Sequence, residues 1–274
     1  MEIKTTKTAK STVYLEATIS TIELDELKEH AIDEMIANIT VKGFRQGKAP
    51  KSIAAEQVDP NKLTNHVLSH VFNDIVNREV KDNNYRLLGR PVLSSIDPQK
   101  DGGWIIKLDL PLYPEVKLDG YKKFLTSPND TKSTKITKTS ENKENVEESK
   151  LEAIYEALLK NIKIDISPLL IEEEVNYSLE RLTSQAKTLN LTLENYLKAV
   201  NKNLEEVKTE YSKKAEESIK LDIILLAIAS EEKIDTSMEE LVELAKITNS
   251  PKEQLGQLKS VMNRRKTIDF LLKA

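Results

Sequence analysis

Residues 41–51 read VKGFRQGKAPK, and the interpretation of the whole chain starts from this short stretch. Gly43 and Gly47 flank the pair Phe44-Arg45, and glycine permits the positive φ angles that a tight reversal of the chain needs. The stretch contains four cations and no acidic residue. It therefore predicts an exposed basic loop, on which Phe offers apolar area and Arg offers five hydrogen-bond donors. Such a loop suits docking onto a charged surface that is partly nucleic acid.

Two other interpretations of the stretch stand beside this one. A Gly-Phe turn can tuck its ring into the core of its own domain, and loop lysines are commonly solvated. A phosphate-binding P-loop is disfavoured, because Gly43 to Gly47-Lys48 is one residue shorter than GxxxxGK[ST]. Ala49 also stands where that motif has the hydroxyl that holds magnesium.

The stretch as a whole resembles the ribosome-docking signature of the bacterial trigger factor chaperones, Gly-Phe-Arg-x-Gly-x-x-Pro after an acidic amphipathic helix. The resemblance implies contact with large-subunit protein and ribosomal RNA near the exit tunnel. Gln46 departs from the family, in which many members carry a third basic residue at this position. The residues that the resemblance assigns to ribosome binding are Gly43, Phe44, Arg45, Gln46, Gly47, Lys48 and Pro50.

The composition excludes several classes of protein. Of the 274 residues, 39% are hydrophobic and 31% are charged, which is typical of a soluble, helix-rich protein. The net charge of −4 argues against a general nucleic-acid binder, so the basic stretch is a local patch. The absence of cysteine excludes disulfides, thiol catalysis and zinc-thiolate sites. Without a membrane-length apolar run or a signal region, we expect a cytoplasmic protein with no membrane partner.

A small α+β domain with an antiparallel sheet is predicted around the loop. Residues 11–20 alternate apolar and polar side chains, as a half-buried strand does. We expect Thr21 to cap the helix that precedes the loop, and Asp101-Gly102-Gly103 to turn a hairpin. The predicted elements are strand 11–20, helix 23–40, the loop, helices 51–58 and 60–81, strand 85–97 with a break around Gly89-Arg90-Pro91, and strand 104–113.

Two histidines, His66 and His70, lie four residues apart on the second of these helices. This spacing can hold a metal ion, but no Glu or third ligand accompanies them in the sequence and the HExxH motif is absent. We therefore expect a surface or packing role for both, and no metal site.

The second half of the chain differs in composition. Six of the 7 glycines fall at or before Gly120, so the remainder should be almost entirely helical. In residues 223–228 the apolar side chains cover nearly every face of the predicted helix, so this segment should lie at the centre of a helix bundle. The predicted architecture is elongated, with a ribosome-binding α+β domain at 1–115, a polar and flexible linker at 116–149, and an all-α chaperone domain at 150–274.

The linker lies where the trigger factor family carries an FKBP-like prolyl isomerase domain, which is glycine-rich and mostly β. After Gly120 the chain offers a single glycine and no Trp. The resemblance therefore implies a short form of the family without that domain. For this short form we expect no catalytic residues and no cofactor. Three His, no Cys and scattered carboxylates form no catalytic constellation either.

The resemblance implies an ATP-independent chaperone that shields nascent polypeptides during folding and export. Periodicity alone leaves the client-binding residues unidentified. Off the ribosome the client-binding apolar surface would be exposed, so the resemblance is compatible with a weak homodimer that covers it. Two alternatives remain: a prolyl isomerase with an unrecognised site, and a free holdase that no longer docks, for which Gln46 gives slight support.

Overall fold

The computed structural model describes residues 1–125, 143–248, 251 and 254–273. The chain forms two compact units, Met1–Tyr113 and Pro114–Ala274. The first combines an antiparallel sheet with helices and the second is helical, which confirms the predicted fold class. None of the described helices combines the length and the apolar character that crossing a membrane requires.

The first unit is built on a four-stranded antiparallel sheet with the order β1-β2-β4-β3. On the two central strands Leu15 pairs with Leu108 and Ala17 with Ile106, and all four side chains are at most 1% exposed. The apolar alternation of both strands therefore places these residues on one buried face. The strands are β1 (Glu2–Ala9), β2 (Thr12–Ile19), β3 (Val92–Pro98) and β4 (Trp104–Pro111).

Two long helices supply the rest of this core. Leu24 and Ala31 of the first helix, with Val67, Val71 and Ile75 of the second, belong to the same buried cluster as the central strands. Their spacing of seven residues on the first helix and four on the second is that of one helical face. The helices of the unit are α1 (Thr21–Asn38), α2 (Lys51–Ala55) and α3 (Pro60–Asn83).

The cap of α1 differs from the prediction, because Ser20 and not Thr21 occupies the N-cap. The Ser20 hydroxyl accepts a hydrogen bond from the Glu23 N–H, and the Glu23 carboxylate accepts one from the Ser20 N–H at 3.0 Å. This reciprocal capping box needs an acidic residue three positions after the cap, which Ser20 has. The Thr21 hydroxyl instead donates to the Asp101 carbonyl at 2.5 Å.

The predicted strand 85–97 has the expected break around Gly89-Arg90-Pro91. Its regular part is Val92–Pro98, and before the break Leu87 is joined to Leu112 by an isolated bridge. Strand β1 was missed, because its sequence EIKTTKTA carries few apolar residues. It is an edge strand, held by backbone pairing to β2, so its side chains needed no apolar alternation.

The second unit is organised around its longest described helix, α8 (Leu204–Glu231). Ile223, Ile224, Leu225 and Ile228 are at most 2% exposed, as predicted from the apolar run. Arg264 of the last helix pairs with Asp222 of α8 at 2.6 Å. The helices are α4 (Tyr121–Leu125), α5 (Lys143–Asn161), α6 (Pro168–Thr188), α7 (Leu193–Ala199), α8 (Leu204–Glu231), α9 (Met238–Thr248) and α10 (Leu255–Lys273).

The range 116–149, predicted as a flexible linker, contains α4 and the first turns of α5. Tyr121 of α4 is buried, and its hydroxyl donates to Glu232 at 2.7 Å. Lys122 pairs with the same carboxylate at 2.6 Å, so α4 is tied to the end of α8. The remainder of the predicted linker, 126–142, lies outside the described residues.

Candidate functional site

The segment between α1 and α2 has a defined backbone. The Phe44 N–H donates to the Val41 carbonyl at 3.0 Å, and the Lys48 N–H donates to the Arg45 carbonyl at 2.9 Å. These bonds form two successive tight turns. The Gly47 N–H donates to the Ile39 carbonyl at 3.2 Å, and the 9% exposed Val41 anchors the segment in the unit. The segment is thus a shaped loop rather than a loose connection.

The two glycines of the loop differ in the space that their surroundings leave for a side chain. Both adopt positive φ angles, +90° at Gly43 and +69° at Gly47. A Cβ at Gly47 would lie 2.6 Å from the Ala37 carbonyl oxygen, whereas a Cβ at Gly43 would have no other atom within 4 Å. Gly47 therefore permits a close approach of the loop to α1, and Gly43 supplies backbone conformation alone.

Gln46 ties the loop to the end of the preceding helix. Its side-chain Nε2 donates to the carbonyl of Asn38, the last residue of α1, at 3.1 Å. Carbonyls in the last turn of a helix lack intrahelical partners and carry partial negative charge. The Gln46 side chain thus holds the loop against the end of α1.

The tip of the loop combines apolar and cationic side chains on the surface. The Phe44 ring is 42% exposed, so the interpretation in which it is tucked into its own core is wrong. Lys51 pairs with Asp33 at 2.5 Å. The side chains of Lys42, Arg45 and Lys48 are exposed, and none of them forms an ion pair with any residue that the structure describes. The loop therefore presents an aromatic ring among cations that remain available to an anionic partner.

His66 and His70 of α3 converge on Glu34 of α1. Glu34 Oε2 lies 2.9 Å from His66 Nε2 and 3.0 Å from His70 Nε2, and the two nitrogens are 3.2 Å apart. His30 Nδ1 lies 3.3 Å from the other oxygen, Oε1. The hydrogen bond with His66, and the charges of His70 and His30, lower the pKa of Glu34.

The structure therefore places a carboxylate beside the two histidines, a neighbour that the sequence analysis did not identify. Glu34 precedes His66 by 32 residues and lies on a different helix. Sequence spacing along α3 could not reveal it, because the packing of α1 against α3 brings the groups together.

The second unit exposes apolar side chains where α6, α7 and α8 meet. Leu189 is 60% exposed, Leu191 36%, Val200 45% and Leu204 39%. We call residues 189–204 the helical tip. A cluster of buried side chains from the same three helices, Leu182, Leu197 and Val207, supports it. The helical tip thus exposes apolar side chains to solvent above a small buried core.

Two family models match the chain. One, described as bacterial trigger factor protein, matches residues 1–147. The other, described as the C-terminus of that protein, matches residues 130–273. The two matches overlap at 130–147 and leave no interval between them.

Curated relatives agree with these matches. The trigger factor of Carboxydothermus hydrogenoformans is 33% identical over 140 residues, which cover 46% of this chain and 33% of the relative. The trigger factor of Campylobacter fetus is 30% identical over 138 residues, with 49% and 31% covered. The chain spans about a third of the length of the curated relatives that it matches.

A solved structure described as "Promiscuous Substrate Recognition in Folding and Assembly Activities of the Trigger Factor Chaperone" has a similar fold. The TM-score is 0.65 at 15% sequence identity, and the alignment covers 100% of this chain and 99% of that chain. At this identity the likeness shows a shared fold.

Proposed function

Because the chain belongs to the bacterial trigger factor family, we propose that it is an ATP-independent chaperone that docks on the ribosome near the exit tunnel and shields nascent polypeptides during folding and export. The observation that carries this proposal is the shaped loop with its exposed Phe44-Arg45 pair. A ribosome-docked chaperone works where translation takes place, so the proposal includes the cytoplasmic location that the sequence predicts. In it, residues 1–115 bind the ribosome and residues 150–274 bind clients.

The docking part of the proposal rests on the chemistry of the loop tip. Ribosomal RNA offers phosphates to Arg45 and Lys48, and ribosomal protein offers apolar area to the Phe44 ring. An aromatic side chain and an arginine are the residue types that most often dominate interface free energies. Gly43, Gly47, Gln46 and Pro50 would hold this pair in place.

The client-binding part rests on the helical tip. Emerging polypeptides expose apolar segments before they fold, and they aggregate through them. Leu189, Val200 and their neighbours offer exposed apolar area that such segments can contact reversibly. Off the ribosome, a second copy of the chain could cover the same area, which is the origin of the weak homodimer in the proposal.

The proposal excludes prolyl isomerase activity in this chain. The overlap of the two family matches at 130–147 supports this part of the proposal, in which the chain lacks the isomerase domain of the family. A protease-coupled assay on a proline peptide is expected to give the uncatalysed rate. If the chain catalyses the reaction above that rate and keeps the activity through purification, the alternative is supported, in which it is a prolyl isomerase with an unrecognised site.

Co-sedimentation with bacterial ribosomes at two salt concentrations tests docking. We expect the chain to pellet with ribosomes at low salt and to pellet less at high salt, because contacts with phosphates release counterions. A chain that stays in the supernatant at both salt concentrations would be a free holdase, and the docking proposal would be wrong.

Substituting Leu189, Leu191 and Val200 together by serine tests client binding. We expect the variant to lose most of its ability to suppress aggregation of a denatured client, measured by light scattering. Its fold should be retained, because these side chains are 36–60% exposed. Ile22→Ser is a matched control, because it removes a 74% exposed apolar side chain from the first unit. Equal loss in both proteins would contradict the assignment of the tip.

A further inference from the structure

We propose that Glu34, His66 and His70 form a binding site for a divalent transition metal ion, with zinc the best fit, that links α1 to α3. The three groups offer one carboxylate oxygen and two imidazole nitrogens that all lie within 4.8 Å of one another. This site is separate from the docking loop and from the helical tip, and the proposed chaperone function does not require it.

The three donor atoms form a triangle of nearly the size of one face of a zinc coordination tetrahedron. Its sides are 2.9, 3.0 and 3.2 Å. Tetrahedral zinc with bonds of about 2.0–2.1 Å places its ligand atoms about 3.3 Å apart. The observed triangle is therefore within a few tenths of an ångström of the required size. A metal ion about 1 Å above its plane would reach all three atoms with bonds of that length.

The donor set is one that zinc uses in proteins. Two histidines and one glutamate leave a fourth position that water fills. The side chains of Glu34, His66 and His70 are 40%, 36% and 43% exposed, so solvent reaches the face of the triangle. Magnesium and calcium favour oxygen ligands, and the two imidazoles therefore select against them.

The placement of the histidines supports a site rather than a chance surface contact. The chain has three histidines, and all three lie within 3.3 Å of a Glu34 carboxylate oxygen. His66 and His70 are one helical turn apart, which directs both rings to the same side of α3. His30 approaches Oε1 and leaves Oε2 to the other two, so it can orient the carboxylate as a supporting partner does in metal sites.

The two Nε2 atoms lie 3.2 Å apart, and each lies within 3.0 Å of Glu34 Oε2. Each nitrogen can offer a lone pair to a cation or donate a hydrogen bond to the carboxylate. A single cation between them is bound by both lone pairs and by the charge of Glu34. The competing interpretation is a hydrogen-bonded cluster that holds no metal, and the experiment below separates the two.

Zinc titration of the untagged full-length chain, followed by calorimetry and metal analysis, tests the proposal. We expect one equivalent bound and a rise of at least about 5 °C in the melting temperature of the first unit at saturating zinc. Magnesium at the same concentration should change neither quantity. Co²⁺ should bind with the visible absorption of a low-symmetry N/O site, which reports direct coordination.

Two variants and one control complete the test. His66→Ala with His70→Ala should lose the zinc-dependent rise in melting temperature and the Co²⁺ absorption, and Glu34→Gln should weaken binding at least about tenfold. Glu29→Gln removes an exposed carboxylate from the same helix and should bind as the wild type does. Circular dichroism without metal checks that every variant is folded. Equal uptake of zinc by the wild type and the double-histidine variant, or no uptake by either, would overturn the proposal.

Discussion

Replacing Phe44 and Arg45 together by alanine is expected to abolish co-sedimentation of the chain with ribosomes. Each side chain is of a type whose truncation at an interface centre costs about 2 kcal/mol or more. Because the effects of adjacent residues do not simply add, the pair is expected to cost about 2–4 kcal/mol, a decrease in affinity of roughly thirtyfold to a thousandfold. The loop should keep its shape, because its turns use the Phe44 N–H and the Arg45 carbonyl, which alanine also has.

A matched control removes the same chemistry from another surface of the first unit. Ile22 is 74% exposed, and the Arg78 side chain is 59% exposed beside Asp82. The variant Ile22→Ala with Arg78→Ala should pellet with ribosomes as the wild type does. If both double variants pelleted like the wild type, the loop would be an ordinary turn and not the docking site.

Single variants separate the two contributions at the loop tip. Arg45→Ala should weaken docking and reduce its dependence on salt, because one cation no longer displaces counterions from phosphates. Phe44→Ala should weaken docking without changing the salt dependence, because an apolar contact releases no ions. A parallel salt dependence for both variants would indicate that Arg45 does not contact phosphate.

The sequence predicted most of the first unit because its signals are local. The alternation of β2 and β4 follows directly from one buried face, and Asp59 before Pro60 marks the start of α3. The loop between α1 and α2 could be located because glycine and proline restrict where a chain can turn. The apolar run 223–228 on α8 is a local signal of the same kind, and it lies in the core.

The missed features depend on partners that are distant in the sequence. Strand β1 exists because β2 offers its edge, and its own side chains carry little apolar periodicity. Glu34 meets His66 and His70 because α1 packs against α3, and no spacing rule along one helix contains that contact.

The helical tip shows a second limit of sequence reasoning. Leu189, Val200 and Leu204 have the same chemistry as core leucines and valines, and periodicity treats them alike. Their exposure is decided by where α6 ends and α8 begins, since the buried base of the tip is already filled by Leu197 and Val207. Which apolar residues can reach a client is therefore a property of packing.

Gly47→Ala is expected to impair docking although it leaves Phe44 and Arg45 in the chain. The substitution places a Cβ 2.6 Å from the Ala37 carbonyl oxygen, a backbone atom of α1 that cannot rotate away. Alanine at a positive φ also costs about 1–2 kcal/mol. The loop must therefore move away from the end of α1, and the 3.1 Å hydrogen bond from Gln46 to Asn38 should be lost.

Gly43→Ala is the matched control, because it makes the same substitution in the same loop at a position that has room for a side chain. Its φ of +90° imposes a conformational cost, but the added Cβ meets no atom within 4 Å. We expect Gly47→Ala to lower ribosome affinity at least about tenfold below that of Gly43→Ala, equivalent to about 1.4 kcal/mol. Hydrogen exchange should be faster at the amide of residue 47 in Gly47→Ala, because its acceptor is the Ile39 carbonyl at the end of α1, from which the loop moves away. Equal docking by the two variants would mean that the close approach to α1 does not set the position of the Phe44-Arg45 pair.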